Sequence, residues 1–204
     1  MRKIIALLAL LALLTGCSAG AAPSMYIRPA ELDEKEKAVA QLLGADRDQH
    51  LFDVVLDGTA KKVRTAAYEL AGGEWHVRLA GSLALKEGEK KARMAFGFED
   101  LRGEYREAVQ FEKDFRAAKH GSSEELDDPE GMSRATSFLT KRTEIVYDEE
   151  IPLAVQVNTT SEDGVICYGV EQFFNPEEYE ALGYEHVYAL TVTFSQEPLS
   201  QPLS

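Results

Sequence analysis

The chain has little cysteine: its 204 residues include two, Cys17 and Cys167. If Cys17 carries another group, Cys167 has no partner within the chain, so we expect no internal disulfide. A domain of this kind has to be stabilised by its own core. Because free cysteine is among the most often buried residue types, and Cys167 lies in the apolar run Val165-Ile166-Cys167-Tyr168, we expect it in that core.

Basic residues are also scarce. The chain holds 22 Lys and Arg against 35 Asp and Glu, and its formal charge is −13. An acidic surface repels the phosphates of nucleic acids, so we expect no nucleic-acid partner. It also lacks the basic patch that binds anionic lipid headgroups, so attachment to a membrane would need another device.

The familiar catalytic and metal-binding motifs are absent from the sequence. Its histidines are scattered and form neither H-x-x-x-H nor H-E-x-x-H; they are His50, His76, His120 and His186. No serine stands in a G-x-S-x-G turn or three residues before a lysine, and no glycine-rich phosphate loop occurs. His76 and His186 are candidates to meet across a sheet, but ordinary strand histidines are far commoner than zinc ligands. We therefore expect no cofactor.

The many acidic residues allow two weaker candidate sites, a pair of catalytic carboxylates and a calcium-binding loop. Paired carboxylates of a hydrolase are identified by geometry, so an abundance of acids carries little weight. The acidic loop 124–130 offers oxygen ligands for calcium, but it lacks the D-x-D-x-D-G spacing of an EF-hand, so a solvated loop is favoured over a metal site. The candidate calcium ligands are Glu124, Asp127, Asp128 and Glu130.

The first residues have the pattern of an export signal. Met1-Arg2-Lys3 is followed by an unbroken apolar run from Ile4 to Leu14. A short basic start with such a run is typical of a signal peptide, and the run is shorter than the roughly 20 residues of a spanning helix. The pattern predicts a signal peptide over residues 1–16. Its removal takes away Arg2 and Lys3, and the formal charge moves from −13 to −15.

The segment Leu14-Thr15-Gly16-Cys17 resembles the lipobox of bacterial lipoproteins, an aliphatic residue and two small residues before an invariant cysteine. In that family the cysteine thiol receives diacylglycerol and a peptidase cuts directly before it. The resemblance therefore implies lipidation of Cys17 and anchoring by acyl chains, two or three of which suffice for stable attachment. It implies a place on the extracytoplasmic side of a bacterial membrane, at the cell surface or facing the periplasm according to the envelope.

After the lipobox, the pattern predicts a flexible tether over residues 17–28, rich in Ala, Gly, Ser and Pro, and a short helix over 29–44. Pro29 is placed in the first turn of this helix and Gly44 at its end. The apolar side chains expected to face the domain are Leu32, Val39, Leu42 and Leu43. A β domain is predicted over 50–196 and a polar tail over 197–204.

The β domain shows a period of two, as in Trp75-His76-Val77-Arg78-Leu79, and turn signals separate its runs. Residues 104–118 also suit a helix, and 114–135 resemble a polar loop. Asn175-Pro176 predicts a capped helical turn. Close spacing of short strands favours an antiparallel β-sandwich, or alternatively a barrel. The predicted strands are 51–57, 62–70, 74–86, 90–98, 104–112, 136–147, 151–158, 164–173 and 185–195.

From these observations we expect a membrane-anchored, non-catalytic domain that binds an envelope protein or another ligand. Trp75, Tyr184 and Tyr188 are conceivable contact residues, although core packing is the commoner role for each. Two alternatives remain open at this point. One is a cell-envelope hydrolase with two carboxylates whose pKa values differ, and the other is a structural subunit of an envelope assembly, marked by an exposed apolar patch.

Overall fold

The computed structural model describes residues 25–42, 49–121, 132–161 and 164–199. Two antiparallel sheets pack against each other, and they are not closed into a barrel. The prediction of a mainly β sandwich is therefore confirmed, and the barrel alternative is not. Among the described residues, no helix has the length and apolar character needed to cross a bilayer.

Sheet A has six strands in the order β7-β6-β5-β2-β1-β9. Successive hairpins join β5, β6 and β7, whereas the short β1 lies between β2 and β9 and pairs with both. Ile27 of β1 is fully buried, which fixes this register. The strands are β1 (Tyr26–Pro29), β2 (Gln49–Val55), β5 (Lys91–Gly97), β6 (Glu104–Gln110), β7 (Phe115–Gly121) and β9 (Thr143–Glu144).

Sheet B has five strands in the order β4-β3-β11-β10-β8. Gly72 and Gly73 form the two-residue turn between β3 and β4, with φ of 60° and 78°. Such a turn needs positive φ at both central positions, which glycine adopts without a steric penalty. The strands are β3 (Lys62–Ala71), β4 (Glu74–Ala84), β8 (Ser133–Phe138), β10 (Glu150–Thr159) and β11 (His186–Ser195).

A third layer covers the outer face of sheet B. It consists of residues 164–184, which include a 3-10 helix (Val170–Phe174) and the short helix α2 (Glu177–Glu180). Because this segment packs outside and sheet A packs inside, nearly every residue of β10 and β11 is buried. We call residues 164–184 the covering segment.

The covering segment corrects one prediction: residues 164–173 form no strand. Their apolar side chains are buried by packing on the face of sheet B, and the segment does not pair with a strand of that sheet. An apolar run alone therefore does not distinguish a strand from a segment that packs on a sheet. Cys167 is half-buried against the core rather than fully inside it, and its thiol contacts the carbonyl oxygen of Val155 at 3.4 Å. The helical turn predicted after Asn175-Pro176 is present as α2, but its N-cap is Pro176 rather than Asn175, and no side chain caps it.

Helix α1 spans Glu34–Leu42, later than the predicted start at Pro29, which is the last residue of β1. Asp33 caps the helix: its carboxylate accepts hydrogen bonds from the backbone N–H groups of Lys35 and Glu36 at 2.8 Å. Glu36 in turn accepts the backbone N–H of Asp33 at 3.0 Å, which completes a reciprocal capping box.

The expectation that α1 packs its apolar face on the domain is wrong. None of its residues is buried, and Leu42 is 87% exposed. An ion pair between Arg93 and Glu36, 2.7 Å long, joins the helix to sheet A. Exposed ion pairs of this kind contribute little to stability.

Three further boundaries differ from the predictions. Residues 26–28, predicted as tether, belong to β1, and residues 115–121, predicted as polar loop, form β7. The predicted strand 136–147 is two strands, β8 and β9, which lie in different sheets. The strand prediction for residues 104–112 is confirmed by β6, against the helical alternative.

Candidate functional site

Several residues predicted to form sites lie outside the described residues. These are the lipidation residue Cys17 and the candidate calcium ligands Glu124, Asp127, Asp128 and Glu130. Across the described part of the chain, no three or more His, Cys, Asp and Glu side chains are grouped to hold a metal ion. His76 lies on β4 and His186 on β11, and β3 stands between these two strands. Glu69 of β3 is opposite His76 and lies 3.4 Å from Nδ1 of His186.

The three aromatic residues considered for binding have different surroundings. Tyr188 is 1% exposed, and its hydroxyl donates to Glu69 at 3.0 Å, so it belongs to the core. Tyr184 is half-buried and accepts a hydrogen bond from the backbone of Ile166 at 2.8 Å, inside the covering segment. Trp75 is half-buried at the edge of sheet B, and it is the one of the three that lies on an edge strand.

A buried polar group joins the two sheets, and sequence reasoning missed it. Glu107 of β6 is 2% exposed and accepts hydrogen bonds from Thr65 of β3 at 2.6 Å and from His120 of β7 at 3.0 Å. Tyr105 lies 2.9 Å from Thr65. Because Thr65 gives its one hydroxyl proton to Glu107, Tyr105 donates to Thr65. We call Thr65, Tyr105, Glu107 and His120 the inter-sheet cluster.

Burial of the inter-sheet cluster changes its electrostatics. Desolvation, reinforced by the nearby charge of Glu107, raises the pKa of Tyr105 to about 12, so the phenol stays protonated and donates. The ring of His120 lies against Gly81 of β4. A Cβ atom on Gly81 would stand 2.0 Å from Cε1 of His120, so glycine at this position leaves the space that the imidazole occupies.

The chemistry of this cluster is structural. A hydroxyl nucleophile needs a hydrogen bond to the imidazole that takes its proton. Here the hydroxyl of Thr65 is bound to the carboxylate of Glu107, and the imidazole of His120 is bound to the other carboxylate oxygen. The carboxylate thus accepts from two different strands, and this joins the sheets without preparing a nucleophile.

A second polar group lies in the loop between β5 and β6. The carboxylate of Asp100 binds the guanidinium of Arg102 at 2.6 Å and that of Arg134 at 2.5 Å. Burial alone would raise the pKa of Asp100, but the hydrogen bonds and charges of Arg102 and Arg134 outweigh it and hold that pKa below its usual value. The neighbouring Gln156 is buried and accepts the backbone N–H of Leu101 at 2.9 Å.

Asp100→Asn is expected to lower the free energy of unfolding by about 2 kcal/mol at neutral pH, because a buried arginine loses its charged partner. A carboxyl whose folded pKa is lowered contributes stability above its unfolded pKa of about 4 and loses it as the pH falls through the folded value. The variant should therefore lose less stability than the parent chain as the pH falls below about 5. Urea unfolding across this range measures the difference.

Glu99→Gln is the matched control, since that neighbouring side chain is 86% exposed. We expect its stability to follow the parent chain at every pH. Equal pH dependence of the Asp100→Asn variant and the parent would contradict the role given to Asp100.

An exposed apolar surface lies at the edge of sheet B. Val77 of β4 is 52% exposed and Phe174 of the covering segment is 61% exposed. Trp75 of β4 stacks on Phe173, with ring centroids 5.1 Å apart, and its indole N–H donates to the carbonyl of Phe173 at 2.8 Å. The ring of Phe174 also contacts that of Phe173, at 5.4 Å. We call Trp75, Val77 and Phe174 the edge patch.

Comparison of the chain with protein-family models, with curated proteins and with solved structures finds no significant match. The protein is therefore classified by its architecture. The domain is an open, two-sheet antiparallel sandwich whose second sheet is covered on its outer face and carries an apolar patch at one edge.

One signal of the inter-sheet cluster was present in the sequence. The strand pattern of β6 places Glu107 on the same face as Tyr105 and Val109, and a carboxylate between two apolar residues indicates a buried acid. Its partners are distant along the chain, however, since His120 follows by 13 residues and Thr65 precedes by 42. No local pattern could reveal that pairing.

Proposed function

We propose that the chain is a lipid-anchored, extracytoplasmic β-sandwich that binds a partner and performs no catalysis. The anchor rests on the lipobox Leu14-Thr15-Gly16-Cys17. The binding role rests on the edge patch, because large apolar side chains grouped at a free sheet edge are typical of interaction surfaces.

The position of β1 supports a domain held close to the membrane. Tyr26, the first residue of β1, follows Cys17 by nine residues. At about 3.5 Å per residue, such a stretch spans at most roughly 32 Å. Acyl chains on Cys17 would therefore confine the domain to a thin layer above the bilayer. Without residues 1–16, which carry two basic residues and no acid, the formal charge moves from −13 to −15, which favours attachment through lipid over attraction to anionic headgroups.

The electrostatics favour binding over the alternative of a two-carboxylate hydrolase. Such an enzyme needs one carboxyl with a raised pKa that acts as an acid beside a carboxylate. Five described carboxyl groups have pKa values held below the usual range, by hydrogen bonds and neighbouring charges; they are Asp57, Glu69, Asp100, Asp114 and Glu185. A structural subunit of an envelope assembly would use the same edge patch. The identity of the crosslinked partner distinguishes a structural subunit from a binding domain.

Cys17→Ser is expected to abolish lipid attachment, because serine lacks the thiol that accepts the acyl group. In the producing bacterium grown with labelled fatty acid, the parent chain should carry the label and the variant should not. The matched control is Cys167→Ser, which alters the half-buried cysteine and should leave labelling intact. Label on the Cys17→Ser product would refute the anchor.

The same cells test the binding role. Chemical crosslinking should join the full-length lipoprotein to another polypeptide chain, and Val77→Lys should remove that product because it places a charge in the edge patch. Glu112→Lys adds a charge to an exposed turn away from the patch and should leave the product unchanged. A product that persists with Val77→Lys would refute the binding role of this surface.

A further inference from the structure

We propose that the partner at the edge patch is a second copy of this chain, joined edge to edge through residues Glu74–Arg78 of β4. The two segments run antiparallel about a two-fold axis at His76. The inference rests on the proposed binding role of the edge patch, and it names the occupant. Pairing of exposed strand edges is a common route by which β proteins associate.

The four edges of the sandwich differ in how well they are protected. Native proteins protect edge strands by making them short or by placing lysine or proline in them. β9 has two residues, and β7 carries Lys119. β8 has only six residues. β4 has eleven residues, no lysine and no proline, and its exposed Val77 lies beside the edge. It is the least protected edge among the described strands.

The sequence of this edge is complementary to itself in one register. With His76 opposite His76 of the second copy, Glu74 stands opposite Arg78 and Trp75 stands opposite Val77. Directly opposite side chains in an antiparallel pair have Cβ atoms about 4.5–5.5 Å apart, and both acid–base and aromatic–β-branched pairs stabilise it. Two-fold symmetry makes each favourable pair occur twice.

Neighbouring registers lose this match. Centring the pair on Val77 places the basic Arg78 opposite His76. Centring it on Trp75 keeps an acid–base pair between Glu74 and His76, but it places Val77 opposite Gly73, which has no side chain to pack against. A register centred between Trp75 and His76 places Glu74 opposite Val77, a charge against an apolar side chain. The arrangement centred on His76 is the one of these that sets Glu74 against an arginine and Val77 against an aromatic ring.

The fold also limits the length of the pairing. The ladder between β3 and β4 has a bulge at Arg78, whose guanidinium also binds Glu69 of β3 at 2.7 Å, and a bulge turns the edge away beyond that point. His120 of β7 covers Gly81 further along the strand. Five residues a side make a small interface, so the pair is weak in dilute solution. Acyl anchoring of both copies in one membrane would raise their effective concentration and favour it.

His76→Cys in the full-length, membrane-inserted lipoprotein tests this arrangement, because the two new thiols would face each other across the axis. Cysteines at directly opposite positions are within the geometry of a disulfide, and the compartment outside the cytoplasm is oxidising. We expect a covalent dimer on a non-reducing gel. The matched control is Glu112→Cys, which is also exposed but lies in the turn before β7. In the proposed dimer this position is far from the two-fold axis, so the control should give roughly ten-fold less disulfide-linked dimer.

A second substitution tests the register. Glu74→Arg added to His76→Cys places like charges opposite each other at both ends of the pair, and it should reduce the dimer roughly ten-fold. Glu74 is exposed, so the variant should fold. No excess of dimer over the control, or a dimer unaffected by Glu74→Arg, would overturn the inference. A disulfide-linked product with a different protein would also overturn it, while the binding role proposed for the edge patch would stand.

Discussion

Phe173→Ala is expected to lower the free energy of unfolding by about 3–5 kcal/mol, the usual cost of removing a buried aromatic ring. Phe173 is 7% exposed and holds the covering segment on sheet B through ring contacts with Tyr68 and Trp75. Without this ring, a cavity opens between the segment and the sheet. Urea unfolding followed by circular dichroism measures the loss.

The chain offers a specific probe for this contact. Trp75 is its one tryptophan, and the indole both stacks on Phe173 and donates to its backbone carbonyl. In the Phe173→Ala variant the indole becomes more exposed to water, so its emission should shift to longer wavelength. The shift reports the local contact, independently of global stability.

The adjacent Phe174 supplies the matched control. It is 61% exposed, so Phe174→Ala removes a ring that water already contacts, and we expect a change within about 0.5 kcal/mol. If both alanine variants lose similar stability, or if Phe173→Ala leaves the emission of Trp75 unchanged, the covering segment is not held as described.

Gly81→Ala is the second substitution with a large expected effect, about 2–3 kcal/mol of destabilisation. The new methyl group would overlap the ring of His120, which must leave its place. Glu107 then loses one of its two hydrogen-bond donors while its carboxylate stays buried between the sheets. Unsatisfied buried charges are costly, so the loss is larger than a methyl group usually causes.

Two further variants make this result specific. Gly121→Ala, at the end of β7, places its methyl group in ordinary contact 3.5 Å from Glu104, so it should be neutral or slightly stabilising. In a double-mutant cycle, Gly81→Ala should cost almost nothing when His120 is already alanine, because the overlap is gone. Additive losses in that cycle would contradict the contact.

Most strands of the two sheets were predictable because they lie on a half-buried surface. In β5, Met94 and Phe96 are 1% exposed and alternate with less buried neighbours, and this alternation identified the strand. The same rule failed for β7, where the exposed Phe115 and the inward His120 reverse the usual polarity. A polar side chain on the inner face becomes favourable only when Glu107 is there to bind it.

Short and interrupted segments were missed for a related reason. β1 has four residues and ends in Pro29, so it shows no period by itself. It becomes a strand because β2 and β9 supply partners on both sides. The reverse holds for residues 164–173, whose apolar side chains predicted a strand. The outer face of sheet B gave them a surface to cover, and pairing was unnecessary.

The sequence by itself determined the mainly β class, the positions of most strands and the lipobox pattern, because each depends on residues close together along the chain. The tertiary structure alone decided which distant residues meet: Glu107 with Thr65 and His120, the covering segment with sheet B, and the edge patch with solvent. These contacts depend on the spatial order of the strands in the two sheets. That order depends on how all inner faces are buried at once, and no local window of sequence contains it.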